Sequence, residues 1–219
     1  MSPLYIKICG FTRGEDLVEA ARAGADAVGF NFWPGSKRYL PPAEARALCP
    51  ETPRALERVG VFVDASLEAI LEIAQGCGLD AVQLHGAEPE AFLAPLKAAG
   101  YRVLRGVHCD APELEGAWLG ADALLIDAPG GGLPGGTGQL ADWERARALA
   151  TLRPVILAGG LRPENVADAV AEVRPMGIDL ASGVESGPGL KDAEAMRELV
   201  REARRAHAER ALPTAGATP

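Results

Sequence analysis

Residues 7 to 9 read Lys-Ile-Cys, and a lysine two positions from a cysteine is the first pairing in this chain that could do chemistry. In a strand, residues i and i+2 share a face. Tyr5, Lys7 and Cys9 therefore project to one side, while Leu4, Ile6 and Ile8 form an apolar side for packing. An ammonium on an interior face must meet an anion, either a protein carboxylate or a ligand. Its charge lowers the pKa of a neighbouring thiol from about 8.5 and favours the thiolate. Cys9 is thus a candidate general base or nucleophile, against the alternative of a small buried core thiol. A second candidate is Asp127, where the apolar run Leu124-Leu125-Ile126 ends on a carboxylate just before a glycine-rich stretch. A carboxylate there does little for packing, so a proton-transfer role across from Cys9 competes with a turn-forming one. Gln83 and His85 alternate with Val82 and Leu84, which puts a polar pair on one strand face; His85 is either a ligand contact or a hydrogen-bonded structural residue. His108 and His207 have no comparable company.

Two glycine-bearing segments suit an anion. The run Pro154-Val-Ile-Leu-Ala opens into Gly159-Gly160, and a later strand opens into Ser182-Gly183-Val184-Glu185, with Ser186–Pro188 able to bend the chain. Glycine lets backbone N–H groups approach a phosphate closely, although turn formation alone explains a single Gly-Gly. The segment Trp33–Tyr39 carries Lys37 and Arg38, and a planar guanidinium matches a carboxylate, unless both are simply solvated loop charges. There is no Ser-His-Asp set, and the widely spaced Cys9, Cys49, Cys77 and Cys109 form neither a Cys-x-x-Cys pair nor a metal-ligand rhythm, so reduced thiols are expected.

The elements that must position these residues alternate short apolar runs with helical patterns, the signature of βα units around a parallel sheet. Eight strands are expected, at Tyr5–Cys9, Asp26–Phe32, Glu57–Val63, Asp80–His85, Arg102–Val107, Asp122–Asp127, Pro154–Ala158 and Ile178–Ser182, each followed by a helix. That is a single (β/α)8 barrel over residues 1–211, with 212–219 a flexible tail and Pro129–Gly138 a long loop after the sixth strand. Gly24-Ala-Asp-Ala-Val, Gly78-Leu-Asp-Ala-Val, Gly120-Ala-Asp-Ala-Leu and Gly177-Ile-Asp-Leu recur before the even strands, each glycine suited to a left-handed helix end. In such a barrel the strand C-termini build the site, and the loops after strands seven and eight commonly hold a phosphate. A formal charge of −8 argues against nucleic acid as a partner. No apolar stretch approaches the roughly 18 residues of a membrane span, and no secretory leader is evident, so the chain reads as cytoplasmic. The expected ligand is a small sugar phosphate, and the expected assembly a monomer or homodimer.

In order and spacing, several of these segments resemble the phosphoribosylanthranilate isomerase family of tryptophan biosynthesis. They are Lys7-Ile-Cys-Gly10, Gly29-Phe-Asn-Phe with Ser36-Lys-Arg-Tyr39, Gly60-Val-Phe-Val, Val82-Gln-Leu-His-Gly86, Leu125-Ile-Asp127 with Gly135-Gly-Thr-Gly138, Leu157-Ala-Gly-Gly-Leu161, and Ser182-Gly-Val-Glu185 with Pro188-Gly-Leu-Lys-Asp192. The resemblance implies an Amadori rearrangement of N-(5-phosphoribosyl)anthranilate without metal or organic cofactor. By that similarity Asp127 is the general acid on the furanose ring oxygen and Cys9 the base at C2. Arg38 would take the anthranilate carboxylate, Lys7 and His85 would lie near the sugar, and Asp179 would orient its hydroxyls. Gln83 joins the substrate-binding set, and Gly159, Gly160, Ser182 and Gly183 the phosphate-binding set. Asp64 departs from an amide common in relatives, and Ala128-Pro129-Gly130 is the least familiar segment. Other phosphate-binding barrels, such as a histidine-pathway isomerase or a pentose-phosphate epimerase, share the anion site but lack the Lys-x-Cys opening. A noncatalytic sugar-phosphate sensor would bind without turnover.

Overall fold

The computed structural model describes residues 2–109, 116–128 and 142–210. Eight parallel strands close into a barrel in chain order: β1 Tyr5–Cys9, β2 Ala27–Asn31, β3 Glu57–Phe62, β4 Ala81–Leu84, β5 Arg102–His108, β6 Ala123–Asp127, β7 Val155–Leu157 and β8 Gly177–Leu180. β1 pairs with both β2 and β8, which leaves the barrel sheet without a free edge. Around it lie α1 Gly14–Ala23, α2 Pro42–Leu48, α3 Leu67–Cys77, α4 Leu93–Ala98, α5 Trp143–Ala150, α6 Val166–Val173 and α7 Ala193–Glu209. A helix was expected after every strand, but after β5 the described residues 116–122 hold turns. Strand eight is also shorter than expected. Ser182–Val184 is a 3-10 turn, followed by a hairpin of β9, Glu185–Gly187, and β10, Leu190–Lys191. The loop Pro129–Gly138 and the tail 212–219 lie outside the described residues.

Local chemistry explains the element ends. Ser66, Asp142 and Asp192 cap α3, α5 and α7 by accepting N–H groups of the first turn. Gly24 and Gly78 take φ of 87° and 59° as left-handed ends of α1 and α3. The recurring aspartates have a definite job. Oδ2 of Asp26, Asp80 and Asp122 accepts the backbone N–H of Ile6, Arg58 and Val103 at 2.7, 2.9 and 2.8 Å, tying each even-strand start to the odd strand before it. The fourth copy is a coincidence of letters. Before β8 the left-handed residue is Arg174, at φ 55°, so Met176 stands where the aspartate would, and its N–H bonds Val155 O at 2.8 Å. Asp179 is thereby released for another use.

Alternation divides the strands into two faces. Leu4, Ile6 and Ile8 are buried against the helices, as expected. The lumen is layered. At the N-terminal end, Tyr5 donates to Glu57 at 2.6 Å, and Arg102 donates to both Glu57 oxygens at 2.8 Å, forming a polar plug. Above it lies an apolar layer that includes Val59, Leu104, Leu125 and Ile156. Polar side chains then gather at the C-terminal mouth.

Candidate active site

A cavity of about 410 Å³ opens at that mouth and is lined by Cys9, Arg38, Gln83, His85, Asp127 and Asp179, together with Gly159, Gly160 and Ser182. Nine of the eleven residues expected at the site therefore share one chamber. Lys7 and Gly183 do not line it. Lys7 is 0% exposed beneath the floor, where its ammonium donates to Asp179 Oδ1 at 2.9 Å. Burial disfavours its charge, but the Asp179 carboxylate is the main opposing influence, and the ammonium stays above the ordinary lysine range. The anion required of Lys7 is thus a protein carboxylate 172 residues away.

Cys9 corrects an expectation. Lys7 does pull its thiol toward ionisation, yet burial is the larger effect and Asp179 adds to it, so the thiol sits above its ordinary value. The resting group is S–H. The room for this cluster comes from Gly29 on β2: a Cβ there would stand 2.6 Å from Cys9 Sγ and 3.1 Å from Lys7 Nζ. Asp127 behaves in the opposite way. Burial raises its carboxyl, but His85, the Ala128 N–H at 2.8 Å and His108 together hold it below the ordinary carboxylate range. His108 was set aside in the sequence for lack of company; its company is across the strands, since β5 and β6 pair His108 with Asp127.

Gln83 and His85 share the lumen face of β4. Gln83 Nε2 lies 2.9 Å from His85 Nδ1, on the side of the ring away from Nε2. That nitrogen faces Asp127 Oδ2 at 3.7 Å. The ring occupies space that exists only because residue 106 is glycine: a Cβ there would lie 2.7 Å from His85 Cγ and 2.8 Å from Cε1. Nothing in the spacing of Gly106 announced this.

The loops after β7 and β8 interlock. Gly159 and Gly160 take φ of 84° and 63°, a conformation that strains residues with a Cβ. Asn165 ties down that loop, donating to Gly160 O at 3.0 Å and accepting from Arg162 N–H at 2.9 Å. Gly183 packs directly on Leu161 O, and a Cβ would come within 2.9 Å of Leu161 C. Arg38 is no free loop cation. Its Nε and Nη2 donate to Glu185 at 2.6 to 3.0 Å. Lys37 also lines the cavity. Asp64, the odd residue of the β3 loop, adopts φ 54° and accepts Ala87 N–H at 2.6 Å, a backbone state that Asp and Asn tolerate. Among the described residues no group of three or more His, Cys, Asp or Glu side chains is arranged to hold a metal ion, and no helix is long and apolar enough to cross a membrane.

The geometry defines a class: a (β/α)8 barrel whose mouth brings a thiol, a carboxylate and two glycine-bearing loops around one chamber. Within that class, the chain belongs to the N-(5'-phosphoribosyl)anthranilate (PRA) isomerase family, whose sequence model matches residues 6–202. The N-(5'-phosphoribosyl)anthranilate isomerase of Syntrophus aciditrophicus is 45% identical over 91% of this chain and 87% of its own length. The phosphoribosyl anthranilate isomerase of Thermotoga maritima superposes with a TM-score of 0.84 at 37% identity, covering 92% of this chain and 99% of that one. A further solved relative, 36% identical with a TM-score of 0.79 over 92% of this chain and 99% of that one, is in complex with reduced 1-(o-carboxyphenylamino)-1-deoxyribulose 5-phosphate.

Proposed function

We propose that the chain converts N-(5'-phosphoribosyl)anthranilate into 1-(2-carboxyphenylamino)-1-deoxyribulose 5-phosphate in tryptophan biosynthesis, with Asp127 as general acid and Cys9 as general base. The observation that carries this reading is that Cys9 and Asp127, from β1 and β6, open onto the same cavity. An Amadori rearrangement needs a proton delivered to the furanose ring oxygen and another taken from C2. Asp127 protonates the ring oxygen, the C1–O bond opens, and a protonated Schiff base forms at C1. Cys9 thiolate then removes the C2 proton, and the enamine tautomerises to the ketone.

The ligand-free ionisation supports the cycle in a particular way. A thiol and a carboxylate hold the same single proton as a thiolate and a carboxylic acid, so the resting pair is the form left when the reaction ends. A new turnover moves one proton from Cys9 to Asp127. An incoming phosphate and carboxylate bring negative charge and displace water, which raises the Asp127 carboxyl and prepares it as the acid, while Lys7 offsets the same rise at Cys9. Lys7, held beneath by Asp179, stabilises the thiolate once formed.

Arg38 takes the anthranilate carboxylate with the donors that Glu185 leaves unused. The phosphate lies at Gly159, Gly160, Ser182 and Gly183, where the first N–H groups of the 3-10 turn lack partners within it. Lys7 acts through Cys9, and Gln83 acts through His85, so both are positioning residues. The barrel occupies residues 1–211. The test is purified protein with synthesised substrate in D2O, followed by loss of substrate fluorescence and by NMR of the product. Expected is the 1-amino-2-ketose phosphate; binding without turnover would instead mark a sugar-phosphate sensor.

A further inference from the structure

Beside the reacting pair lies a buried cluster of three charges that the proton transfers do not use. Arg38 comes from the loop after β2, Glu185 from β9 and Lys191 from β10, with side chains 13%, 4% and 0% exposed. Glu185 is held on every side. It accepts Nε and Nη2 of Arg38, Nζ of Lys191 at 2.7 Å and the N–H of Gly189 at 3.3 Å. Lys191 spends its remaining donors on Cys9 O at 2.5 Å and Ala181 O at 3.5 Å, so all three ammonium protons have acceptors. Its Nζ also sits 5.3 Å from the Phe11 ring centroid. The Arg38 stem is clamped from behind, because Gly10, at φ 85°, packs against its Cβ, Cγ and Cδ.

Two cations and one anion leave one net positive charge. Lys191 is saturated by protein groups. Arg38 has five N–H donors, of which those on Nε and one on Nη2 face Glu185, and its side chain lines the cavity. The uncompensated charge therefore resides on Arg38, whose guanidinium is held by Glu185 and whose side chain lines the chamber. An isolated Arg38–Glu185 pair would be neutral and would attract a carboxylate weakly. An Arg38 without Glu185 would be charged but free to turn.

We propose that Glu185 and Lys191 are positioning residues for recognition of an aromatic carboxylate: Glu185 fixes the orientation of the Arg38 guanidinium, and Lys191 cancels the charge of Glu185 so that Arg38 keeps its own for the ligand. This rests on the reading that Arg38 meets the substrate carboxylate. Orientation and charge make opposite predictions at position 185. If Glu185 mattered only as a nearby negative charge, Glu185→Gln would tighten carboxylate binding. If it orients Arg38, the same change loosens it.

The experiment measures, by calorimetry, the affinity of reduced 1-(o-carboxyphenylamino)-1-deoxyribulose 5-phosphate and of the same compound lacking the carboxyl group. The readout is the preference for the carboxylated form. Expected is loss of the preference in Arg38→Ala, and a fall of at least tenfold in Glu185→Gln, Glu185→Asp and Lys191→Met, with affinity for the decarboxy compound within about twofold of wild type. An unchanged or increased preference in both Glu185 variants would overturn the inference while leaving Arg38 as the carboxylate ligand. A preference retained in Arg38→Ala would overturn the carboxylate reading itself. Equal loss of both ligands in the Glu185 and Lys191 variants would show that the network merely supports the fold.

Discussion

Gly106→Ala probes how Asp127 is held. The added methyl would overlap His85 Nδ1 and stand 2.7 and 2.8 Å from two carbons of the ring. Such contacts relax at about 3.5–4.0 Å, so the ring must retreat by about 1 Å. His85 cannot retreat and keep both its 2.9 Å contact with Gln83 and its 3.7 Å approach to Asp127. Overpacking of this kind costs about 1–3 kcal/mol, which for a domain of this size lowers Tm by about 3–10 °C. A misplacement of about 1 Å at a reacting group can cost on the order of a hundredfold in rate. The assay pairs steady-state kinetics with thermal unfolding for Gly106→Ala, His85→Ala and the double variant. Because the clash requires the ring, the double variant should be no worse than His85→Ala alone, a coupling that a double-mutant cycle resolves. Additive losses, or a Gly106→Ala enzyme with wild-type kcat and Tm, would refute the reasoning.

Four further outcomes follow from the structure. Alkylation of Cys9 by iodoacetamide, with Cys9→Ser as blank because the other three cysteines are buried, should reach half-maximal rate above the ordinary thiol value of about 8.5; a midpoint below it would contradict the dominance of burial. The same raised pKa means that the stability contributed by the neutral thiol is complete below about pH 8.5 and is lost as pH rises through the folded-state value, a loss absent from the alkaline unfolding of Cys9→Ser. Asp122→Ala leaves the buried Val103 N–H without its 2.8 Å acceptor and should cost about 1–3 kcal/mol in denaturant unfolding, with kcat unchanged because the site is at the opposite end of the barrel. Gly183→Ala must separate the loops after β7 and β8, since the new methyl meets Leu161; affinity for the reduced ribulose phosphate should fall at least tenfold, and unaltered affinity would remove these loops from the phosphate site.

Much of this architecture was legible because strand alternation is a local rule. The placement of Lys7 and Cys9 toward the lumen, and of Ile6 and Ile8 toward the helices, needed only period two. The strand ends were read to within one or two residues for the same reason. What escaped was set by pairs distant in the chain. Lys7 finds Asp179, His108 finds Asp127, and Arg38 finds Glu185 only after the barrel closes. The ionisation of Cys9 was misjudged because a lysine two residues away is visible in sequence, whereas burial and the Asp179 charge are not. Gly29 and Gly106 carried no signal of their own, since a glycine kept for a neighbouring strand's side chain looks like any other. The fourth Gly-x-Asp copy misled because letters matched while register did not; Asp179 instead lines the cavity and accepts from Lys7.

The central claim is that Cys9 and Asp127 act as one unit on one bound ligand. The most direct measurement compares kcat for Cys9→Ala, Asp127→Asn and the double variant, with affinity for the reduced ribulose phosphate as the control for an intact site. The account predicts a loss of at least a thousandfold in each single variant, little further loss in the double, and ligand affinity within a few-fold of wild type. Either single variant turning over at more than about a tenth of the wild-type rate would contradict it.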